Sequence, residues 1–293
     1  MAVFAVGILV AGCGGSTGST SSTGSLTTPV RVGAGPGVDQ RLVAETYARG
    51  LELRGVDVDR LFGPGLPPTT YADLRDGRVD LVPAATGGLL ALLDPTATVT
   101  APADVEAGVR ARLPPGLTLL TPSVAEDADA VVVTRASAAR GLRTLPDLAP
   151  GCPALTMGGP AAFADRSDGL PAVARRYGCT VAAYRPLPDV ATTVRALADG
   201  TIGAAVLPGA DPAIQLDDLV VLADVDHALT AQQITPLTTR VAADDPRVVE
   251  VLDRISSQLD TQVLTDLDRR VTGPAPSEPR LVARDWLSAA GVG

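Results

Sequence analysis

Alternation between strand-like and helix-like apolar patterns constrains the fold of this 293-residue chain more than any other feature. In the first part of the chain, strand patterns at 30–34, 56–61 and 79–83 are separated by helix patterns at 38–54 and 70–76. Strands that alternate with helices favour a mostly parallel sheet with helices on both of its faces. The first hundred residues therefore predict an α/β unit.

A second series of the same kind follows the continuous apolar run at 130–134, which is typical of a fully buried strand. Its later strands are predicted at 154–157, 179–184 and 202–207, and a strand at 236–241 leads back toward three C-terminal helices. The sequence thus predicts two α/β lobes, the first of them built from both ends of the chain. Ligands usually bind in the cleft that such lobes leave between them.

The N-terminal segment predicts export and a lipid anchor. Residues 9–13 read LVAGC, and a run of Ser, Thr and Gly follows to residue 28. This order resembles a bacterial lipoprotein signal, which implies a signal segment at 1–13, lipidation of Cys13 and a flexible tether at 14–28. An export signal usually begins with basic residues, and residues 1–12 contain none. The alternative is a chance apolar segment before a low-complexity linker. A transmembrane anchor would need about 20 apolar residues.

Charge and composition exclude several classes of function. The formal net charge is −9, and a chain without basic clusters is poorly suited to nucleic acids, whose phosphates need Lys and Arg patches. With one histidine and no closely spaced cysteines, a zinc site is not expected. The sequence predicts no cofactor.

Cys152 and Cys179 each precede a predicted strand. Successive parallel strands joined by a helix are often neighbours, and their starts then lie at the same sheet edge. In an exported chain such a pair can form a disulfide. The alternative is two small buried apolar side chains.

Catalytic motifs give no support to an enzyme. The single histidine, His227, has no nucleophile motif near it in sequence, and we interpret it as an exposed or capping residue. The GGSTG string at 14–18 fits a serine-hydrolase pattern, but it lies in the tether without a strand or helix around it. The glycine-rich turn at 33–37 lacks the last glycine of a dinucleotide fingerprint.

Several strings, taken together and in order, resemble the substrate-binding proteins of glycine betaine/choline-type ABC importers (OpuAC-like osmoprotectant receptors). These strings are VRVGAGPGVDQRLVAETYARGL (30–51), LRDGRVDLVPAATGG (74–88), FADRSDGLPAVARRYG (163–178), ALADGTIGAAV (196–206), LVVLADVDH (219–227) and TPLTTR (235–240). The resemblance runs from about residue 29 to 289 and implies a two-lobed, hinged, monomeric solute receptor that catalyses nothing and delivers its ligand to a membrane permease.

The resemblance also implies where the lobes divide. We expect the chain to cross between them near 127–133 and again near 232–238. The first lobe would then contain 29–127 and 236–293, and the second 128–235. Closure around two such crossings is a known hinge mechanism.

On the same resemblance, Arg166 matches the arginine that pairs with a ligand carboxylate, and Thr86 matches a hydroxyl donor. A guanidinium can hold a carboxylate through two charge-assisted hydrogen bonds. The alternative for Arg166 is a salt bridge with Asp165 or Asp168. The alternative for Thr86 is an N-cap of a helix that begins at Gly87.

Gln40 and Asp211 complete the expected ligand site. Gln40 stands at the mouth of the first helix, where the alternative is a solvated first-turn residue. Asp211 could meet a cation, and the alternative is that it only shapes the turn before Pro212.

The chain departs from the family where tyrosines form a cage around a trimethylammonium group by cation–π attraction. Strings that carry those tyrosines in the family read Val-Pro-Ala-Ala-Thr-Gly at 82–87 and Ala-Gln-Gln at 231–233, and Ala130 replaces a further tyrosine. Of the four tyrosines, Tyr47 and Tyr177 occupy apolar helix positions and are expected in the core. A standard cage is therefore not expected.

The sequence predicts a lipid-anchored extracytoplasmic receptor for a small polar solute, either a quaternary ammonium or a carboxylate-bearing compound such as glycine betaine. The first alternative is a sensor or scaffold lipoprotein with the same fold and no transport role. A second alternative is an enzyme on related lobes, like the porphobilinogen-polymerising enzymes, which need a cytoplasmic site and a cofactor-bearing cysteine.

Overall fold

The computed structural model describes residues 28–63, 68–69 and 71–292. Cys13, the predicted signal segment and residues 14–27 of the tether lie outside this range. No helix in the described part of the chain is both long and apolar enough to cross a membrane.

Ten strands form two sheets of five strands each. They are β1 (Val30–Val32), β2 (Val58–Arg60), β3 (Leu81–Ala85), β4 (Leu117–Leu119), β5 (Asp129–Thr134), β6 (Thr156–Gly159), β7 (Ala183–Pro186), β8 (Ala204–Pro208), β9 (Leu219–Val221) and β10 (Ile234–Thr239). The first sheet has the order β2-β1-β3-β10-β4, and the second has the order β7-β6-β8-β5-β9.

Fourteen α-helices surround these sheets in the described residues. They are α1 (Val38–Leu53), α2 (Tyr71–Arg75), α3 (Thr86–Leu93), α4 (Pro102–Arg112), α5 (Arg135–Ala138), α6 (Leu145–Leu148), α7 (Ala161–Asp165), α8 (Leu170–Tyr177), α9 (Val190–Ala198), α10 (Ala213–Leu216), α11 (Arg240–Ala243), α12 (Pro246–Gln258), α13 (Thr261–Thr272) and α14 (Pro279–Ala289). A short 3₁₀ helix spans Ala149–Ala154.

The predicted two-lobed α/β fold is confirmed, and each sheet contains one strand that runs against its parallel neighbours. In the first sheet this strand is β10, which pairs antiparallel with β3 and β4. In the second sheet it is β5, which pairs antiparallel with β8 and β9. β5 and β10 lie at the two expected crossings. Each of them therefore runs antiparallel to its neighbours in the sheet that it joins. The exact division of the chain between the lobes stays a prediction.

The core of the first lobe joins the two ends of the chain. Helix α1 packs against α12, α13 and α14. Tyr47 on α1 is buried in this core, as its apolar helix position predicts. Gly50 lets the helices approach closely, because a Cβ there would lie 2.7 Å from Cδ1 of Ile255. Both ends of the chain are therefore required to complete one hydrophobic core.

The second lobe contains a disulfide between Cys152 and Cys179, whose Cα atoms are 5.3 Å apart. Both cysteines are buried in that lobe's core. The strand predicted at 179–184 is displaced, because β7 begins only at Ala183. Cys179 instead follows Gly178, which ends α8 in the left-handed conformation with a φ of 68°. The strand predicted at 154–157 begins two residues later, after the 3₁₀ helix.

Candidate functional site

A cavity of about 190 Å³ lies where the second lobe meets the two crossings. Its lining combines side chains of the second lobe with residues of both crossing segments. The lining residues are Asp127, Asp129, Arg166, Asp168, Leu229, Thr230 and Gln232. Four of these seven residues have ionisable side chains, so the lining can interact with polar or charged groups.

Arg166 follows α7 and is held by two carboxylates. Its Nη2 donates to Asp129 and its Nε donates to Asp168. The guanidinium carbon also lies 5.9 Å from the ring centroid of Phe163, a cation–π arrangement. Burial lowers the pKa of Arg166, but the hydrogen bonds to the two aspartates outweigh it and leave the pKa raised. Of the two alternatives for Arg166, the salt bridge to Asp168 is present, and the predicted contact with a ligand carboxylate stays a prediction.

Asp127 lies half-buried on the first crossing, and its side chain forms no ion pair with a described residue. Its pKa is raised to about 7, because burial and the negative charges of Asp39, Asp268 and Asp129 outweigh a hydrogen bond from the backbone N–H of Ala210. The cavity therefore contains a carboxylate that the protein itself does not neutralise.

Asp268 on α13 is another carboxylate with a raised pKa. Burial, together with the negative charges of Asp39 and Asp211, raises the pKa of Asp268 to about 6. Its Oδ1 atom is buried and has no hydrogen-bond partner among the described residues. A buried acceptor without a donor is unfavourable unless something else supplies the hydrogen bond.

Thr86 starts α3 and is fully buried. Its hydroxyl donates to the carbonyl of Ala231 at 3.4 Å and accepts from the N–H of Gln233 at 3.1 Å, so it joins β3 to the returning crossing. Gly87 is needed for this contact, because a Cβ there would lie 2.5 Å from the Ala231 oxygen. The start of α3 makes a second contact with the returning crossing, because the N–H of Gly88 donates to Oε1 of Gln232 at 2.8 Å. A role of Thr86 in ligand binding stays a prediction.

The remaining expected site residues do not line the cavity. Gln40 folds back over its own loop, where a Cβ on Gly35 would lie 1.8 Å from its Oε1. Asp211 accepts a hydrogen bond from the N–H of Ala213 at 2.8 Å, which agrees with a turn-forming role. It also lines a separate cavity of about 550 Å³ beside α9 in the second lobe. Ligand roles for Gln40 and Asp211 stay predictions.

None of the described residues that line the 190 Å³ cavity is aromatic. Tyr184 stacks on Phe163 with a centroid distance of 6.2 Å, and its hydroxyl donates to the carbonyl of Pro160. Tyr177 packs against the core of the second lobe and donates to Asp224. A cage of several aromatic faces is therefore not assembled around this cavity.

His227 is exposed, in a turn with a φ of 51°. It lines a second cavity, of about 430 Å³, together with Glu126, Asp224 and Thr261. Burial raises the pKa of Glu126, whereas the charge of His227 lowers it. The described residues that line this cavity include no serine or cysteine, so no nucleophile of either type lines it with the imidazole.

The sequence-based analysis did not identify Asp127 and Asp129 as site residues. The signal was present in the string EDADA at 126–130, in which carboxylates alternate with alanines directly before a buried strand. Alternation places Asp127 and Asp129 on the same side of an extended segment, and a crossing directs that side toward the cleft. Carboxylates at a predicted crossing are therefore additional candidates for the ligand site.

Comparison with known proteins agrees with this architecture. Residues 28–289 match the OpuAC family, described as the substrate binding domain of an ABC-type glycine betaine transport system. No curated protein sequence matches the chain.

Solved structures show the same fold at low sequence identity. Apo YehZ from Escherichia coli superposes with a TM-score of 0.77 at 23% identity, over 91% of this chain and 100% of that chain. A glycine betaine/carnitine/choline ABC transporter protein gives a TM-score of 0.79 at 18% identity, over 90% and 99% of the two chains. Lactococcal OpuAC, in its closed conformation with glycine betaine, gives 0.56 at 14% identity, over 90% and 96%.

The family match spans both sheets, both crossing strands and all residues that line the 190 Å³ cavity. Proteins of this family are non-catalytic receptors that bind small ligands outside the cytoplasm and work with ABC permeases. This chain belongs to the OpuAC family and is the substrate-binding component of a glycine betaine/choline-type ABC transporter.

Proposed function

We propose that this chain is a monomeric, lipid-anchored receptor that captures one small polar solute, of the size of glycine betaine, in the 190 Å³ cavity between its lobes. The observation that carries the proposal is the convergence of Asp127, Asp129, Arg166 and Asp168 on one cavity at the crossings. A solute bound there touches the second lobe and both crossing segments at once. Binding therefore favours one relative position of the lobes.

The cavity size supports a ligand of a few heavy atoms. Solutes such as glycine betaine, choline, carnitine and free amino acids are small enough to fit, and a nucleotide or an oligosaccharide is too large for it. The charged lining supports a ligand with at least one ionic group. Arg166 would orient an anionic group only after Asp129 or Asp168 released it.

A thermal-shift screen tests this function. The panel contains betaines, choline, carnitine, amino acids, polyols and small amines. A true ligand at about 100 times its Kd should stabilise the protein by roughly 2.7 kcal/mol. Thr230→Trp fills the cavity that the half-buried Thr230 lines and should abolish the shift.

Val124→Trp is the matched control, because Val124 is 68% exposed and lines none of the cavities described above. This variant should keep the full ligand-induced shift. A panel without any stabilising compound, or a shift that survives Thr230→Trp, would contradict the proposed function.

Lipid anchoring is a separate part of the proposal and rests on Cys13 with the polar run that follows it. A single acyl chain gives weak membrane binding, whereas a lipoprotein carries several. Cys13→Ser should move the protein from the membrane fraction to the soluble fraction of the expressing cells. An unchanged distribution between the fractions would refute the anchor.

A further inference from the structure

Several hydrogen-bond donors near the cleft are already used by oxygen atoms of the protein itself. Nε and Nη2 of Arg166 donate to Asp168 and Asp129. At the start of α3, the N–H of Gly88 donates to the Gln232 side chain. A ligand carboxylate would therefore meet a guanidinium that two carboxylates already neutralise, and a helix end that a side-chain oxygen already occupies.

Two carboxylates in or near the same cavity, those of Asp127 and Asp268, have fewer partners. Asp127 lies in the cavity with no cation paired to it, and its recorded donor is the backbone N–H of Ala210. Asp268, close enough to act on the pKa of Asp127, keeps its buried Oδ1 without a partner among the described residues. Asp268 does not itself line the cavity, and its unpaired oxygen is a second acceptor near Asp127 that lacks a donor.

The charge balance of the cavity also favours a cationic ligand. Its lining holds three carboxylates, Asp127, Asp129 and Asp168, against the single guanidinium of Arg166. The carboxyl groups of Asp127 and Asp268 have raised pKa values because burial and neighbouring negative charges disfavour their ionised forms. A cation in the cavity would remove that penalty, whereas an anion would increase it.

The kind of cation follows from the lining. A trimethylammonium group donates no hydrogen bond and depends on aromatic faces, and no described residue that lines this cavity is aromatic. An ammonium that carries N–H bonds can instead donate to several carboxylates at once.

We propose that the cleft selects an organic cation with N–H bonds on its nitrogen, a primary or secondary amine that needs no carboxylate, and that Asp127 is the residue that binds it. This inference rests on the proposed function and names the solute class for the same cavity.

Four compounds that differ in two properties test the inference by isothermal titration calorimetry on the whole protein at pH 8. Ethanolamine and choline differ in the three methyl groups on nitrogen, as do glycine and glycine betaine. Ethanolamine differs from glycine in lacking a carboxylate. We expect ethanolamine to bind at least tenfold more tightly than choline and at least tenfold more tightly than glycine.

Two charge-neutralising variants locate the contact. Asp127→Asn should weaken ethanolamine binding at least tenfold. Asp244→Asn removes the same charge at an exposed position beyond the far end of β10 and should leave the affinity unchanged. Circular dichroism melts confirm that both variants fold, so a loss of binding in Asp127→Asn alone assigns the effect to the cleft.

The outcomes separate this inference from the proposed function. Tighter binding of glycine betaine or choline would overturn the inference and leave the receptor function intact. Equal effects of Asp127→Asn and Asp244→Asn, or no binding of ethanolamine, would also overturn it. The Thr230→Trp comparison, with its wider panel, then decides independently whether the cavity binds any solute.

Discussion

Two arginines of this protein each lie between two carboxylates, one in the first lobe and one in the cleft. In the first lobe, Arg60 on β2 bonds to Glu45 at 2.9 Å and also pairs with Glu52. The Glu45 side chain is only 4% exposed, and Arg280 approaches it at 3.3 Å as a second cation. Arg49 also pairs with Glu52, at 3.1 Å, so three arginines surround two glutamates in this cluster.

In the cleft, Arg166 alone faces Asp129 and Asp168, and Asp127 adds a third carboxylate to the same cavity. The Arg166 side chain is 45% exposed, so water screens these pairs more than those of Arg60. The first-lobe cluster thus has at least one arginine for each carboxylate, whereas in the cavity the carboxylates outnumber the arginine. The cavity therefore differs from the first-lobe cluster in its charge balance, although both contain ion pairs.

The largest effect on stability is expected from removing Arg60 from the first-lobe cluster. Arg60→Met leaves Glu45 buried with only the longer contact to Arg280, and breaking a buried pair in this way costs about 3 kcal/mol. The matched change Arg166→Met should cost less than about 1 kcal/mol, because exposed pairs contribute little. Urea unfolding of the two variants measures both values. Similar losses in both would show that the cleft pairs serve the fold.

A smaller effect on stability is expected from Asp127, the unpaired carboxylate of the cleft. The pKa of Asp127 is raised to about 7 in the folded chain, whereas an aspartate in an unfolded chain has a pKa near 3.9. The folded chain therefore holds this proton more tightly. The resulting stability is fully present below about pH 4 and is lost as the pH rises to about 7.

Asparagine at this position does not ionise, so Asp127→Asn should be more stable than the parent protein at pH 8. The full difference of about three pKa units corresponds to about 4 kcal/mol, and we expect about half of it because Asp127 is only half-buried and water screens its charge. The difference should disappear toward pH 4. Urea unfolding of both proteins at the two pH values, without added solute, measures it. A variant that is less stable than the parent at pH 8 would show that Asp127 has a favourable partner. The cleft would then not hold an excess of unpaired negative charge.

The sequence by itself determined the fold class of this protein. Alternating strand and helix patterns, each set by which side chains must leave water, predicted two α/β lobes, and ordered strings such as that at 163–178 identified the family. Local pattern was sufficient because burial on one face of a helix or strand depends mainly on neighbours in sequence. It was less accurate where proline and a 3₁₀ turn displaced β6, and where β7 began only at Ala183, after the left-handed Gly178.

Only the tertiary structure decided what the polar residues of the cleft contact. The sequence offered Asp168 as a partner of Arg166, but its second partner Asp129 lies 37 residues away, and Ala231, the partner of Thr86, lies 145 residues away. The pKa of Asp127 likewise depends on Asp268, which α13 brings from the other end of the chain. Hydrogen bonds and charges act through space over a few ångströms, so their balance is fixed only when both lobes and both crossings are in place.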